Sequence, residues 1–182
     1  QNTTGMVEVA LTRQIIQQLK KYAQGERLGF LAADALSERK SYQYHLKLLK
    51  IKYDKAYFAK TFAQWQRYYL TLQDEVDMLI ILSHVGINDW DEAQAQQFVE
   101  THTRIPTGTE LDLEMPVSLL GITKVAEEQG HWAAHAALKI LQGVAPHHIP
   151  ITRNQQGKAY FNLKIAEKLA IKDIPAFAEL IR

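Results

Sequence analysis

Two groups of ionisable residues have a spacing that could support chemistry. His131 and His135 are four residues apart, so two imidazoles on one helical face could bind the same metal ion. Glu110, Asp112 and Glu114 alternate along the chain, and in an extended segment their carboxylates would point to the same side. Such a set of carboxylates could bind a cation or work as an acid–base pair.

Both groups also have simpler interpretations, which we favour. On a helical projection the two histidines share a narrow polar stripe with Lys124 and Lys139, whose positive charges disfavour a metal ion. The acidic triplet has no histidine beside it and no glycine-containing calcium loop. The sequence therefore predicts neither a metal site nor catalytic carboxylates, and we expect no cofactor.

Other signals exclude several classes of protein. The sequence has no cysteine, no glycine-rich phosphate loop, no Gly-x-Ser-x-Gly nucleophile motif and no His-Glu-x-x-His zinc motif. A net charge of +1 provides no electrostatic footprint for nucleic acid. The longest apolar run, Met78–Leu82, is far shorter than the roughly 20 residues of a membrane helix. These signals favour a globular protein that does not bind nucleic acid.

The elements that must position a site alternate between strands and helices. The first five strand candidates begin at intervals of about 22–28 residues, the length of a strand and a crossover helix. The pattern predicts an α/β fold, a doubly wound and mainly parallel sheet with helices on both faces. The six strand candidates are Gly5–Val9, Arg27–Ala32, Asp54–Ala59, Val76–Leu82, Arg104–Thr107 and Val117–Gly121.

Apolar stripes with a helical period lie between and after these strands. Ala95, Phe98 and Val99 predict a helix with Asn88 as its N-cap. A long helix is predicted from Lys124 to Gln142, and a short one from the N-cap Asn162 to about Ala170. Three further stripes are interpreted as core: Leu11, Ile15, Leu19 and Tyr22; Tyr42, Leu46 and Leu49; and Phe62, Trp65, Tyr69 and Leu72.

Polar residues follow the predicted strands at the edge of the sheet where ligands of such folds bind. In an open α/β sheet that edge is formed by the carboxyl ends of the strands. Small or hydrogen-bonding side chains there suit a small polar ligand, and they suit ordinary helix capping equally well. The candidate ligand-binding residues are Asp34, Ser37, Ser83, His84, Asn88, Thr107 and Glu110.

The C-terminal third carries a resemblance to a known family. The helix Gly130-His-Trp-Ala-Ala-His-Ala-Ala-Leu-Lys-Ile-Leu-Gln-Gly143 is followed by Ala145-Pro-His-His-Ile-Pro150 and by Tyr160-Phe-Asn-Leu-Lys-Ile-Ala-Glu-Lys-Leu-Ala-Ile171. This succession resembles ABC-transporter substrate-binding proteins of the type I periplasmic-binding-protein fold, in the tryptophan- and tyrosine-type subfamily. Between Gln1 and Gly121 the resemblance is mainly topological.

The resemblance implies an extracytoplasmic, non-catalytic protein that binds a small polar solute, with an amino acid as one option. It would be periplasmic or extracellular, lipid-anchored or membrane-tethered in the full-length protein, and would present its ligand to the membrane permease of an ABC transporter. Residues 1–122 would form the C-terminal lobe, and residues 123–182 a return helix and closing segment that packs on a missing or partner lobe. The apolar face of the helix over 124–142 would also suit a homodimer.

Two alternatives stay open at the level of sequence. A periplasmic ligand-sensing ectodomain, fused to a membrane signalling domain, would have the same fold and a similar pocket. An unrelated doubly wound enzyme or receiver domain is the other alternative. A receiver needs a phosphorylatable aspartate at the third strand end, where Ala59-Lys60-Thr61 stands.

Overall fold

A seven-stranded sheet organises residues 2–182, which are the residues described by the computed structural model. The strands lie in the order β3-β2-β4-β5-β6-β8-β9, and neighbours are parallel except β6 and β8, which are antiparallel. The chain runs outward from β2 in both directions, so the prediction of a doubly wound, mainly parallel α/β fold is confirmed. These strands are β2 (Leu28–Ala33), β3 (Lys55–Ala59), β4 (Met78–Ile81), β5 (Thr107–Thr109), β6 (Leu120–Lys124), β8 (Gly157–Asn162) and β9 (Glu179–Ile181).

Helices cover the sheet because their apolar stripes recur at the helical period. The stripe of α3 buries Trp65, Tyr69 and Leu72 completely, and that of α1 buries Ile15 and Leu19. Strands β2 and β4 are buried along their whole length, as central parallel strands covered on both faces should be. The helices are α1 (Thr12–Leu19), α2 (Leu36–Lys47), α3 (Phe62–Glu75), α4 (Glu92–His102), α5 (Ala126–Leu141) and α6 (Leu163–Lys168).

The acidic triplet has a different local structure from the one predicted. Residues Asp112–Val117 form a 3-10 helix, so the extended segment predicted for the triplet is not formed. Glu110 and Glu114 are buried, whereas Asp112 is exposed. The same short helix delays β6, which begins at Leu120 and not at Val117.

One predicted helix cap is also wrong. Asp91, not Asn88, caps α4, because the Asp91 carboxylate accepts a hydrogen bond from the backbone N–H of Gln94 at 2.9 Å. The cap predicted for the last helix is confirmed. The Asn162 side chain accepts hydrogen bonds from the backbone N–H groups of Lys164 and Ile165, at 3.1 and 3.3 Å.

The first predicted strand pairs outside the main sheet. Only Met6–Val7 (β1) is extended, and it pairs in parallel with Thr152–Arg153 (β7) in a separate two-stranded sheet. Asn154 reinforces this pair, since its side-chain amide donates to the carbonyl of Val9 at 3.1 Å and its amide oxygen accepts from the N–H of Val9 at 2.6 Å. The segment therefore joins two distant parts of the chain.

The last third of the chain divides into a part that returns to the sheet and a part that does not. Strands β8 and β9 and helix α6 complete the sheet beside β6, although β7, β8 and β9 were not predicted. Helix α5 is largely exposed, because Ala136 is its one buried residue while Leu138 and Leu141 are 55% and 83% exposed. A division of the chain at residue 123 remains a proposal.

Candidate functional site

An open cavity of about 550 Å³ lies between α2 and the β1–β7 pair. Three residues of α2, at positions 41, 44 and 45, face it together with Leu48, the residue that follows the helix. Glu110, which directly follows β5, also lines the cavity. The cavity therefore adjoins the carboxyl end of β5, the edge of the sheet at which ligands bind in folds of this class. Its walls are formed by Val7, Glu8, Val9, Ala10, Ser41, Tyr44, His45, Leu48, Leu49, Glu110, Lys124 and Arg153.

Four buried side chains form a hydrogen-bonded chain behind the cavity. Thr12, the first residue of α1, donates its hydroxyl proton to Oε2 of Glu110. The imidazole of His45 lies with Nε2 3.4 Å from the same oxygen and with Nδ1 2.7 Å from the hydroxyl of Tyr53. Burial raises the pKa of Tyr53 well above its ordinary value, and the charge of Glu110 adds to the shift, so this tyrosine keeps its proton. These hydrogen bonds hold the side chains of His45 and Glu110, which line the cavity.

Charged groups of both signs stand at the opposite wall. Glu8, just after β1, pairs with Lys124 at the end of β6. This ion pair lowers the pKa of Glu8, chiefly through the hydrogen bond from Lys124 and then through one from Gln129. Arg153 of β7 is exposed at the same wall. The cavity therefore presents carboxylates, cationic side chains and the exposed apolar surfaces of α2 together.

A second polar cluster lies at the same edge of the sheet, outside the cavity. Glu114 is fully buried, and one of its oxygens accepts from both Nδ1 and the backbone N–H of His84, at 2.7 and 2.8 Å. Burial would lower the pKa of His84, but the hydrogen bond and the charge of Glu114 outweigh burial, and the pKa is raised. The ring of His84 stacks on Trp90 with centroids 4.3 Å apart. This packing makes the histidine part of a well-ordered cluster.

Glu38 links the two clusters electrostatically. It occupies the first turn of α2 and is buried, with hydrogen bonds to Ser37 and to the backbone of Ser83. Burial raises the pKa of Glu38, and the negative charges of Glu110 and Glu114 raise it further. Three buried carboxylates thus accumulate at one edge of the sheet.

The predicted site residues divide into those that approach the cavity and those that do not. Glu110 lines it, while Ser83 and His84 belong to the neighbouring cluster. Thr107 is fully buried, and its hydroxyl accepts the backbone N–H of Leu119 at 2.9 Å, so it offers no surface to a ligand. The three that remain lie away from the cavity: Asp34 is paired with Arg39, and Ser37 and Asn88 are exposed.

Several residues of the site were not predicted, and one signal could have found them. The stripe of α2 that was interpreted as core contains Tyr42, Leu46 and Leu49. The adjacent face, with Tyr44 and His45, combines polar and apolar side chains at helical spacing. Thr12, Glu38 and Tyr53 gave no comparable signal, because their partners are far away in the sequence.

Neither candidate metal set gains support from the structure. His131 and His135 are both exposed on α5. Across the described part of the chain, residues 2–182, no group of three or more His, Asp or Glu side chains is arranged to hold a metal ion.

A comparison with protein families identifies the C-terminal third. Residues 117–175 match the family model described as ABC transporter substrate binding protein. The match includes β6, α5, the β7 strand and α6. The match is confined to this segment and shows what the segment is similar to. Of the cavity residues only Lys124 and Arg153 fall inside the matched segment, so the family match does not by itself describe the ligand site.

Solved structures extend the likeness over the whole fold. The ligand-free, open structure of CD0873, a substrate-binding protein with adhesive properties from Clostridium difficile, is similar with a TM-score of 0.71 and 12% identity over 98% of this chain and 62% of that one. A conserved domain protein from Vibrio cholerae is similar with a TM-score of 0.62 and 16% sequence identity, over 97% of this chain and 62% of that one. The ABC domain in complex with L-Trp from Streptococcus pneumonia is similar with a TM-score of 0.58 and 18% sequence identity, over 97% of this chain and 64% of that one. At these identities the likeness shows the fold.

The chain spans about 62–64% of the length of these three similar structures. A search of the curated protein sequences returns no match. None of the helices formed by residues 2–182 combines the length and the apolarity that crossing a bilayer requires.

Proposed function

We propose that the chain is the solute-binding part of an ABC-type import system, or the lobe-bearing portion of such a protein, and that it binds a small polar ligand without catalysis. The observation that carries the proposal is the 550 Å³ cavity with the buried carboxylate of Glu110 at its floor. A pocket of this size, with few polar groups and adjacent apolar surface, suits a small molecule. The family of residues 117–175 supports the same conclusion.

An amino acid is the first ligand class to test. The cavity offers the Glu110 carboxylate for an ammonium group, Arg153 for a carboxylate, and Tyr44 and Leu48 for an apolar side chain. One structurally similar protein was solved with L-Trp, which makes tryptophan a reasonable first compound. By analogy with the family, the protein would act outside the cytoplasmic membrane and deliver its ligand to a membrane permease.

The proposal is tested by thermal shift and calorimetry of the chain against the standard amino acids and small amides. We expect at least one compound to raise the melting temperature in a concentration-dependent way, since a ligand that binds only the folded state stabilises it by mass action. Substituting Tyr44→Ala should weaken that shift, whereas Tyr57→Ala, on β3 and outside the cavity, should leave it unchanged. If no compound in the panel shifts the transition, the proposal is wrong.

A further inference from the structure

A second cavity, of about 340 Å³, lies at the edge of the sheet opposite to the candidate site. Leu28 and Met78, the first residues of β2 and β4, line it together with Ile51 from the turn between α2 and β3. All three side chains are buried and form an apolar floor. No described residue lines both this cavity and the 550 Å³ cavity. The volume lies within the range of roughly 300–1,000 Å³ that is typical of small-molecule sites.

Four cationic side chains surround this cavity, which we call the basic groove. Arg13 lies on α1 and Lys20 directly after it, and Lys50 and Lys52 lie between α2 and β3. Among the described residues that line the groove, Glu26 is the one carboxylate, and it pairs with Lys20 at 3.0 Å. Within residues 2–182 no carboxylate oxygen lies within 4.0 Å of the other three cations. Because the whole chain has a net charge of only +1, the rest of it is net negative and the positive excess is local.

The negative groups beside the groove do not cancel this excess. Helices α1 and α2 both end near it, and the carboxyl end of a helix corresponds to about half a negative charge. Asp54, which is outside the lining, uses one oxygen to accept the backbone N–H of Leu28 at 2.8 Å. Even with these charges counted, the groove carries more positive charge than its surroundings neutralise.

The backbone brings two of the cations to the same turn. Arg13 donates from Nε to the carbonyl of Leu49 at 2.7 Å and again from Nη2, while its Nη1 has no hydrogen-bond partner in residues 2–182. The next residue, Lys50, has a φ of 52°, in the left-handed region that favours glycine. The guanidinium group is therefore fixed beside the backbone of a second cation, and both keep donors for a ligand.

We propose that the basic groove binds a phosphate group that is attached to a small carbon group, as in a phosphate monoester or a lipid headgroup. A phosphate monoester carries up to two negative charges and three strong acceptor oxygens, which suits three unpaired cations better than a carboxylate does. Arg13, Lys50 and Lys52 bind the phosphate oxygens through charge-assisted hydrogen bonds, and the apolar floor contacts the carbon group. The site is independent of the proposed function, because it shares no lining residue with the main cavity.

Isothermal titration calorimetry with three related probes, at equal ionic strength, tests the proposal. Phenyl phosphate has both the charge and the carbon group, phenol lacks the phosphate, and inorganic phosphate lacks the ring. We expect phenyl phosphate to bind at least about tenfold more tightly than phenol, as for charge-assisted hydrogen bonds, and more tightly than inorganic phosphate. In nuclear magnetic resonance spectra the amide signals of residues 50–52 should move on addition of phenyl phosphate.

The substitution Lys50→Gly separates ligand binding from stability. It should weaken the binding of phenyl phosphate about tenfold, because a charged donor is lost. It should keep or raise the melting temperature, because glycine adopts a positive φ without strain. Ala170→Gly is the matched control, since Ala170 is the other described non-glycine residue with a positive φ, of 54°. The control changes the backbone in the same way and should leave the affinity unchanged.

Further variants locate the site. Lys52→Gln should also weaken binding, whereas Lys168→Gln, at an exposed lysine on α6, should not. Tyr44→Ala, in the main cavity, should leave the affinity for phenyl phosphate unchanged. An effect of Tyr44→Ala combined with none of Lys50→Gly would place the probe in the main cavity and overturn the proposal without touching the proposed function.

Vesicles distinguish the two sources of the phosphate group. Co-sedimentation with phosphatidylglycerol vesicles, absent for phosphatidylcholine vesicles and lost in Lys50→Gly, would assign the site to an anionic lipid headgroup. Binding of phenyl phosphate without co-sedimentation would assign it to a soluble phosphate ester. Equal affinity for phenyl phosphate and phenol overturns the role of the cations, and equal affinity for phenyl phosphate and inorganic phosphate overturns that of the floor. If neither phenyl phosphate nor the anionic vesicles bind, the proposal is wrong.

Discussion

Glu38 illustrates the energetic cost of collecting carboxylates at one edge of a sheet. Its pKa is raised by burial and by the charges of Glu110 and Glu114, so its ionised form is disfavoured in the folded state. For an acid with a raised folded-state pKa, the stabilising contribution is complete below the ordinary pKa of 4.5 and is lost as the pH rises through the folded-state value. At physiological pH the carboxylate therefore opposes folding.

Substituting Glu38→Gln is expected to stabilise the protein at pH 8. Removing the charge should raise the free energy of unfolding by about 1 kcal/mol, which corresponds to roughly 2–4 °C in melting temperature for a chain of this size. The gain should vanish near pH 4, where the native carboxyl is already protonated. Calorimetric or circular-dichroism melting at both pH values measures it.

Glu75→Gln is the matched control for this prediction. The pKa of Glu75 is lowered, chiefly by the hydrogen bond from Tyr57 and then by that from Lys55, so its charge favours folding above the ordinary pKa. The control should lower the melting temperature slightly at pH 8. A decrease for Glu38→Gln at that pH would contradict the argument from burial.

At the scale of the elements, two glycines differ in the space that their surroundings would leave for a side chain. A Cβ atom on Gly108 of β5 would lie 2.5 Å from Cγ2 of Ile15 and 2.9 Å from a methyl group of Leu19, so α1 packs directly on this glycine. Gly130 in α5 has no atom within 4 Å of the same position. The first glycine allows a close approach of helix and strand, and the second only adds backbone freedom to a helix.

Alanine at these two positions should therefore have opposite effects on stability. Gly108→Ala forces α1 away from the sheet and should cost about 1–3 kcal/mol in the free energy of unfolding. Gly130→Ala should add about 0.5–1 kcal/mol, since alanine is the better helix former. Urea denaturation of the two variants measures both values, and a stabilised Gly108→Ala would contradict the packing described for α1.

Local periodicity explains which elements could be predicted from the sequence. Helices α1 and α3 bury one face each, and that face repeats within a single stretch of chain, so its stripe is visible without the structure. Strands β8 and β9 lack such a pattern, because the residues that cover them come from other parts of the fold. In the site, Glu110 was predicted from its place after a strand, whereas Thr12 and His45 are brought to it only by tertiary packing.

At the scale of the whole molecule, α5 is a 16-residue helix that buries only one of its residues, Ala136. Leu138, Ile140 and Leu141 are all exposed on it, although apolar side chains of this size usually lie inside a protein. The homodimer predicted from the sequence would cover this surface, and it remains a prediction.

Sedimentation equilibrium over a concentration series tests that dimer. The double substitution Leu138→Glu with Leu141→Glu should lower the weight-average mass to that of the monomer and change the melting temperature little, because both side chains are exposed. His135→Glu with Gln142→Glu, on the polar stripe of the same helix, should leave the association unchanged. A chain that sediments as a monomer at every concentration would refute the prediction.

The pairing of β1 with β7 bears on when the cavity forms during folding. Val9 and Asn154 are 145 positions apart, so their contact closes a loop that contains most of the chain. Closing a loop of that length costs more entropy than pairing β2 with its neighbours, and the ordered sheet must shorten the distance first. During synthesis Asn154 also emerges long after Val9. We therefore expect the wall that carries Glu8 and Arg153 to form late, so that the cavity is completed only after the sheet has been assembled.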